Sequence, residues 1–244
     1  MMYRLLLCFL VLISFSTSAQ LITSDQSKTK DGMELLPKFN EQTYVYLGVD
    51  CLNTFRELNP NMDHLNTPLG ERANEIPRWM VGYSLRITVP VVKMIKVNTG
   101  LSFQQNGESY DWLSNETDSS FSYQTSFRYI AMPVQLSTEF GKKIGFYAAC
   151  GVVPAIFSSF IQKQQWTNAL GSENSQDISI QDDCNSFIIS LQADIGLHYH
   201  INEQFGVQLT AQYRKQLNNT YKNFENYIHK AYALGFNFSL SYRF

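Results

Sequence analysis

Apolar and polar side chains alternate residue by residue through most of this chain from Thr43 onward. In residues 187–199 every odd position from Phe187 to Tyr199 is apolar, whereas the even positions include Ser190, Gln192 and Asp194. A period of two is the side-chain spacing of a β-strand, whose successive residues point to opposite faces. The chain is therefore expected to form a sheet with one apolar face and one polar face.

The alternation, together with β-branched and aromatic content, divides the chain into strands and connections. Pro133 and Pro154 lie inside two of the strands and cannot donate to a ladder, so a bulge or a gap in pairing is expected there. The predicted strands are residues 43–54, 79–89, 95–104, 128–139, 144–157, 187–199, 207–214 and 232–244. The connections near 90–93, 140–143 and 201–204 are short, and those near 55–78, 105–127, 158–185 and 215–230 are long. Tight turns at one rim and long polar loops at the other are typical of an outer-membrane β-barrel, here an eight-stranded antiparallel up-and-down transmembrane barrel.

The direction of the apolar face decides between a membrane barrel and a soluble one. Charged residues make up 16% of the chain, against about 25% in soluble domains, and the polar face carries few of them. We therefore predict an apolar exterior and a packed polar lumen. A soluble periplasmic ligand-binding barrel, with its apolar face inward, and a β-sandwich remain as alternatives. The predicted lumen core consists of Arg86, Lys96, Asp194, His198, Arg214 and Arg243.

The N-terminus has the pattern of an export signal. Arg4 precedes the apolar run from Leu5 to Phe15, and small residues end at Ala19, so residues 1–19 are predicted to be a signal peptide. Residues 20–42 are polar and predict a flexible periplasmic lead-in to a barrel domain at 43–244. The formal net charge of −2 does not suggest a nucleic-acid partner.

Four histidines are the residues to inspect for chemistry. His198 and His200 share one face with Asp194 four residues before His198, but the sequence specifies no third ligand or nucleophile. His64 and His229 are expected in solvated long loops. No catalytic residue, cofactor or metal is predicted, although a lipid-modifying outer-membrane enzyme with a histidine at the rim stays an alternative.

Two further predictions concern the loops and the thiols. The long connection 158–185 contains Trp166, which is expected to be exposed and makes this loop the first candidate for contact with a protein partner. Cys51, Cys150 and Cys184 fall on strands too far apart to be bridged, so free thiols are expected.

The centre and the end of the chain carry a family resemblance. Residues 129–136 read Tyr-Ile-Ala-Met-Pro-Val-Gln-Leu, followed by Phe-Gly-Lys-Lys at 140–143 and an aromatic stretch ending at Gly151. This order resembles the centre of the PorT-like outer membrane β-barrel family of Bacteroidota-type Gram-negative bacteria. The resemblance implies a location in the outer membrane lipid, with both termini periplasmic. The closing Ser-Tyr-Arg-Phe, ending at Phe244, resembles the signal by which the barrel-assembly machinery takes up its clients.

Overall fold

The computed structural model describes residues 42–58, 75–114, 116–179, 182–222 and 228–244. The predicted signal peptide, most of the predicted lead-in, and His64 lie outside these residues. The strands are β1 (Tyr44–Leu58), β2 (Ile76–Val92), β3 (Ile95–Leu113), β4 (Ser120–Ala131), β5 (Val134–Gly141), β6 (Ile144–Thr167), β7 (Glu173–Ile178), β8 (Phe187–His200), β9 (Phe205–Gln216) and β10 (His229–Arg243). No helix in this part of the chain has the length and hydropathy to cross a bilayer.

The strands close into a ring of eight positions. β1 pairs antiparallel with β2 on one side and with β10 on the other, and the ring continues through β3, β6, β8 and β9. β4 and β5 together fill one position, because both pair with β3 and with β6. β7 pairs with the end of β6, beyond the part of β6 that pairs with β8. β7 and β8 therefore share one ring position, with β7 next to the C-terminal end of β6. The predicted eight-stranded antiparallel barrel is confirmed.

The polar face points into the barrel, as predicted. Along β9, Gln208, Thr210 and Gln212 are 1%, 0% and 4% exposed, whereas Leu209 between them is 55% exposed. The same alternation runs along β10, where Asn237 is buried and Phe238 is 51% exposed. An apolar exterior around a polar interior is the reverse of a soluble barrel and is the surface that a lipid bilayer solvates. This chain is a β-barrel of the membrane-spanning type.

The two prolines have different consequences. Pro133 breaks its strand, as expected, because Met132 and Pro133 separate β4 from β5. β6, in contrast, runs through Pro154, which stays in register opposite Ile189. The irregularity in β6 falls four residues later, where Ser158 is the extra residue between the pairs formed by Phe157 and Ser159.

Two of the predicted long loops are largely strand. β3 continues to Leu113 and β4 begins at Ser120, while β6 continues to Thr167 and turns into β7. The prediction of loops at 105–127 and 158–185 was therefore wrong for most of their length. Their Ser, Thr, Gln and aromatic residues suit a sheet in water, where pairing satisfies the backbone groups that a loop would leave to solvent. The short connections between β2 and β3, β5 and β6, and β8 and β9 are confirmed.

We call the paired ends of β3, β4, β6 and β7 the extension: residues 106–113, 120–127, 160–167 and 173–178. The rim with the short connections is called the short-turn end, and the opposite rim the long-loop end. Exposed Phe205 and Tyr242 pack against each other with tilted rings at the short-turn end, with ring centroids 5.2 Å apart. Aromatic side chains of this kind mark the interfacial edge of a membrane barrel.

Leucine-to-arginine substitutions distinguish a surface that faces lipid from one that faces water. Leu209→Arg places a charge midway along β9 on the exterior, and we expect it to lower the free energy of unfolding by about 2–4 kcal/mol in lipid. Leu170→Arg, at a residue that is 93% exposed in the β6–β7 turn, should change it by less than about 0.5 kcal/mol. Urea unfolding in lipid vesicles measures both. Equal tolerance of the two arginines would contradict an exterior in contact with lipid.

Candidate functional site

Buried polar side chains from opposite strands meet across the lumen. Arg86 on β2 donates from Nη2 to Asn237 Oδ1 and to Ser239 Oγ on β10, both at 3.0 Å. Asn237 in turn donates to Asp50 Oδ1 on β1 at 2.7 Å. These bonds give partners to one nitrogen of a guanidinium that is 5% exposed, and such partners offset part of the cost of burying the charge. Arg86 therefore has the lumen role predicted from the sequence.

The other predicted lumen residues divide into two groups. Lys96, Asp194, His198 and Arg214 are all buried in the lumen, as predicted, whereas Arg243 is only half-buried because it stands at the last residue of β10. The hydrogen bonds of Asp194 come from two glutamine side chains. Its carboxylate accepts from the amide of Gln135 at 2.7 Å and from that of Gln192 at 3.1 Å. Arg214 donates to Asn106 Oδ1 at 2.8 Å.

Charged and imidazole groups converge at the short-turn end of the lumen around Glu139 on β5. Lys96 Nζ lies 2.8 Å from Glu139 Oε2, while His198 Nδ1 and His200 Nε2 lie 2.7 Å and 3.3 Å from Glu139 Oε1. We call Glu139, His198 and His200 the Glu139 cluster; their ligand atoms lie within 4.8 Å of one another. A carboxylate and two imidazoles at this spacing are the residues here that could hold a metal ion.

The second nitrogen of His198 extends the cluster to β10. His198 Nε2 lies 2.8 Å from Ser241 Oγ, so a serine, a histidine and a glutamate are connected in the order of a hydrolytic triad. Two inward-facing glycines make this approach possible. A Cβ on Gly145 would come within 3.0 Å of Glu139 Oε1, and one on Gly206 would come within 2.7 Å of Ser241 Oγ.

Sequence reasoning found the two histidines but missed Glu139 and Ser241. Both follow the alternation of their strands, since Gln135, Ser137 and Glu139 are the buried residues of β5. The alternation along β5 would have been enough to predict that Glu139 faces the lumen. It could not have paired Glu139 with His198, because their strands are separated in the ring by β6 and the two residues are 59 positions apart in the chain.

An apolar cluster closes the long-loop end of the lumen. Cys184, 1% exposed, packs with inward-facing Phe127, Val153 and Ile188, and its segment pairs with Tyr221. The prediction of free thiols is confirmed, with Cys51 and Cys150 exposed on the barrel exterior. Burial, with a contribution from Asp183, raises the pKa of the Cys184 thiol to about 11.

His229 belongs to this apolar cluster and not to a solvated loop. Its side chain is buried, with its ring centroid 5.3 Å from that of Phe127 and 5.1 Å from that of Tyr221. The expectation of a solvated His229 was wrong because Phe127 and Tyr221 pack against its ring, and because the segment 219–222 beside it is bonded to the segment 182–186. Asn185 N donates to Thr220 O at 2.7 Å, and Lys222 N to Asp183 O at 2.8 Å.

Trp166 lies on the extension, in a strand rather than a loop. It pairs with Phe121 of β4 and with Asn174 of β7, and its side chain is half-buried instead of exposed, as had been expected. It lines a pocket of ≈ 450 Å³. The other lining residues are hydroxyl, amide and acidic ones: Ser120, Ser122, Gln165, Thr167, Glu173, Asn174 and Ser175.

The structure is similar to several solved membrane barrels. Ail, the attachment invasion locus protein of Yersinia pestis, shares 13% identity, with 84% of this chain and 100% of that chain covered and a TM-score of 0.38. Neisserial surface protein A shares 11%, with 83% and 97% covered and a TM-score of 0.39. The outer membrane protein OprG from Pseudomonas aeruginosa shares 11%, with 83% and 96% covered and a TM-score of 0.45.

At these identities and TM-scores the likeness concerns fold alone and carries no argument about a role. No family model matches this chain, and no curated protein matches it in sequence. The class of the protein therefore rests on its own ring of pairings and on its apolar exterior.

The thiol of Cys184 should be protected in the folded barrel. A thiol with a pKa near 11 carries little thiolate at pH 8, and burial hinders the reagent as well. We expect a water-soluble maleimide to label Cys184 at least about tenfold more slowly than a cysteine introduced by Ser172→Cys, which lies in the exposed β6–β7 turn. Mass spectrometry of the peptides gives both rates, and denatured protein serves as the control. Rapid labelling of Cys184 in the folded barrel would contradict the closed long-loop end.

The Lys96–Glu139 ion pair should be strongly coupled. Lys96→Met leaves the buried carboxylate without its lysine, and we expect it to cost about 3–5 kcal/mol of unfolding free energy. Adding Glu139→Gln removes the uncompensated charge, so the double variant should be more stable than the sum of the single losses by about 0.5–3 kcal/mol. Urea unfolding in detergent gives all four values of the cycle. Strict additivity would show that the pair does not interact in the folded barrel.

Proposed function

We propose that this chain is an outer-membrane β-barrel of the PorT-like kind that presents its extension at the cell surface as a binding surface. In this proposal the short-turn end and both chain termini are periplasmic, and no catalytic activity is involved. Phe244, 75% exposed at the end of the chain, serves as the signal for the barrel-assembly machinery. The outer membrane lipid surrounds the apolar exterior.

The length of β6 carries the proposal. β6 has 24 residues, and at about 3.3 Å per residue and a tilt of ~40° it rises more than twice the ~25 Å height of an apolar band. Its pairing with β8 ends at Ile156, whereas its pairing with β4 continues to Thr167. A bilayer alone requires only the first part. The remaining strands form a rigid sheet beyond it, and binding sites are commonly held on such scaffolds.

The chemistry of the extension favours a hydrogen-bonding partner. The pocket beside Trp166 offers hydroxyl and amide groups from three strands, with the indole as a half-buried anchor. Tryptophan is enriched among residues that dominate binding energy. An extended segment or a polar surface of a partner protein fits this lining better than an apolar helix does.

The lumen supports a binding role better than a conducting one. Described side chains fill it at both rims, with the Glu139 cluster at the short-turn end and the apolar cluster around Cys184 at the other. A barrel of eight strands has an interior just wide enough for its own side chains. A solute could pass only if both the Glu139 cluster and the apolar cluster around Cys184 moved aside.

Acyl transfer is a second candidate because Ser241, His198 and Glu139 are connected in the right order. Ser241 is 2% exposed, however, and Gly206 packs so closely that a single Cβ there would touch both Ser241 and His198. An ester would need space beside Ser241 Oγ for its carbonyl carbon. The packing therefore favours the binding role.

Epitope display tests the location and the orientation together. An epitope inserted after Gly171, an exposed residue in the β6–β7 turn with open space around it, should be detected by antibody on intact cells. The same epitope inserted after Asn202, in the turn between β8 and β9, should be detected only after the outer membrane is permeabilised. Heat-dependent migration on a gel verifies that both variants fold.

Two results would contradict the proposal. Detection of the epitope at Asn202 but not at Gly171 on intact cells would reverse the orientation. If neither epitope is detected on intact cells although both variants fold, the extension does not lie at the cell surface.

A further inference from the structure

The Glu139 cluster has the donor set of a divalent metal site that the proposed binding role does not use. Both imidazoles approach the same carboxylate oxygen, Oε1, at 2.7 Å and 3.3 Å. Ligand atoms around a tetrahedral Zn²⁺ at about 2.1 Å lie roughly 3.4 Å apart. To surround one ion at that spacing, His198 Nδ1 would have to move about 0.7 Å further from Oε1, and His200 Nε2 about 0.1 Å further.

The neighbours of the cluster hold each donor in a coordinating orientation. Lys96 occupies Glu139 Oε2 at 2.8 Å, which leaves Oε1 as the single coordinating oxygen. Ser241 Oγ lies 2.8 Å from His198 Nε2, so Nε2 can donate to it while Nδ1 directs its lone pair at the cluster. Hydrogen bonds to the far side of metal-ligating histidines and carboxylates are the rule in metal sites.

Packing restrains the two rings, and one of them is accessible. The ring centroids of His198 and His200 are 4.2 Å apart, and the Tyr44 ring lies 5.3 Å from the first and 6.0 Å from the second. His198 and Glu139 are buried, whereas the His200 side chain is 16% exposed. It stands at the end of β8, next to the turn at 201–204. An ion can therefore reach the site from the short-turn end.

We propose that Glu139, His198 and His200 bind one Zn²⁺ inside the short-turn end of the barrel. Two imidazoles and one carboxylate suit a borderline divalent cation and not Mg²⁺ or Ca²⁺, which prefer oxygen ligands. Three protein ligands leave the fourth tetrahedral position to water or to an exogenous ligand. The ion links β5 to β8, which are not neighbours in the ring, and so cross-braces the lumen.

Metal titration of the full protein tests this site directly. The protein is purified in detergent without a polyhistidine tag and treated with a chelator, and Zn²⁺ is added in a calorimeter. We expect one Zn²⁺ per chain, and Co²⁺ in its place should give the visible absorption of a four-coordinate site. Zn²⁺ should also raise the urea midpoint of unfolding, because the assembled site of the folded state binds it more tightly than the separated ligands of the unfolded chain do.

Substitutions in the Glu139 cluster test whether the ion binds there. His200→Ala, at the least buried of the ligands, should weaken Zn²⁺ binding at least about 100-fold, and Glu139→Gln should do the same without changing the size of the side chain. Asp194→Asn is the matched control, because Asp194 is another buried lumen carboxylate, whose partners within the described ranges are the amides of Gln135 and Gln192. It should bind Zn²⁺ as the unmodified protein does. Heat-dependent gel migration confirms the fold of each variant.

Three outcomes would overturn the proposal. The first is a folded, chelator-treated protein that takes up no stoichiometric Zn²⁺. The second is equal weakening by His200→Ala and Asp194→Asn, which would indicate weak adsorption of the ion elsewhere. The third is covalent labelling of Ser241 by a fluorophosphonate without metal uptake, which would assign the same side chains to acyl transfer. None of these depends on where in the cell the barrel resides or on what its extension binds.

Discussion

The antiparallel pairing of β1 with β10 is the interaction on which the rest of this structure depends. Fifteen residue pairs, from Tyr44 with Arg243 to Leu58 with His229, join the two ends of the sheet. In hydrocarbon an unpaired backbone N–H or C=O costs several kcal/mol, and only a closed ring leaves no sheet edge. Once the ring closes, every strand must place alternate side chains inside and outside. One face of each strand then lines the lumen, and the other forms the exterior.

The interior is narrow, so its polar side chains lie close together. Polar groups that would be solvated on an open sheet are buried against one another, so each needs a partner inside the barrel. Arg86 finds one on β10, Arg214 on β3, and Asp194 on β5. The same requirement draws Lys96, His198 and His200 to Glu139. A group of ligands at one rim is thus a consequence of burying charge in a small closed lumen.

Much of the architecture could be predicted because alternation is a local property. The period of two in residues 187–199 and 232–244 indicates which residues share a face without knowledge of any partner strand. Loop boundaries were harder, since the extension is dense in Ser, Asn, Gln and Asp, which are common in loops. Thr125, Gln162 and Ser175 read as loop residues, yet pairing across β4, β6 and β7 places them in strands. Whether His229 is solvated or buried depended on its packing against Phe127 and Tyr221, which the pattern around His229 does not show.

The sequence by itself determined the eight strand positions of the barrel, the apolar exterior and the burial of Arg86, Lys96, Asp194, His198 and Arg214, because side-chain parity along a strand needs no information from elsewhere. Only the tertiary structure decided which of these residues meet. The contact of Glu139 with His198 depends on the stagger of β5, β6 and β8, on the missing side chain of Gly145 between them, and on closure of the ring. Register across strands is set by many pairings at once, so no single segment of the sequence contains it.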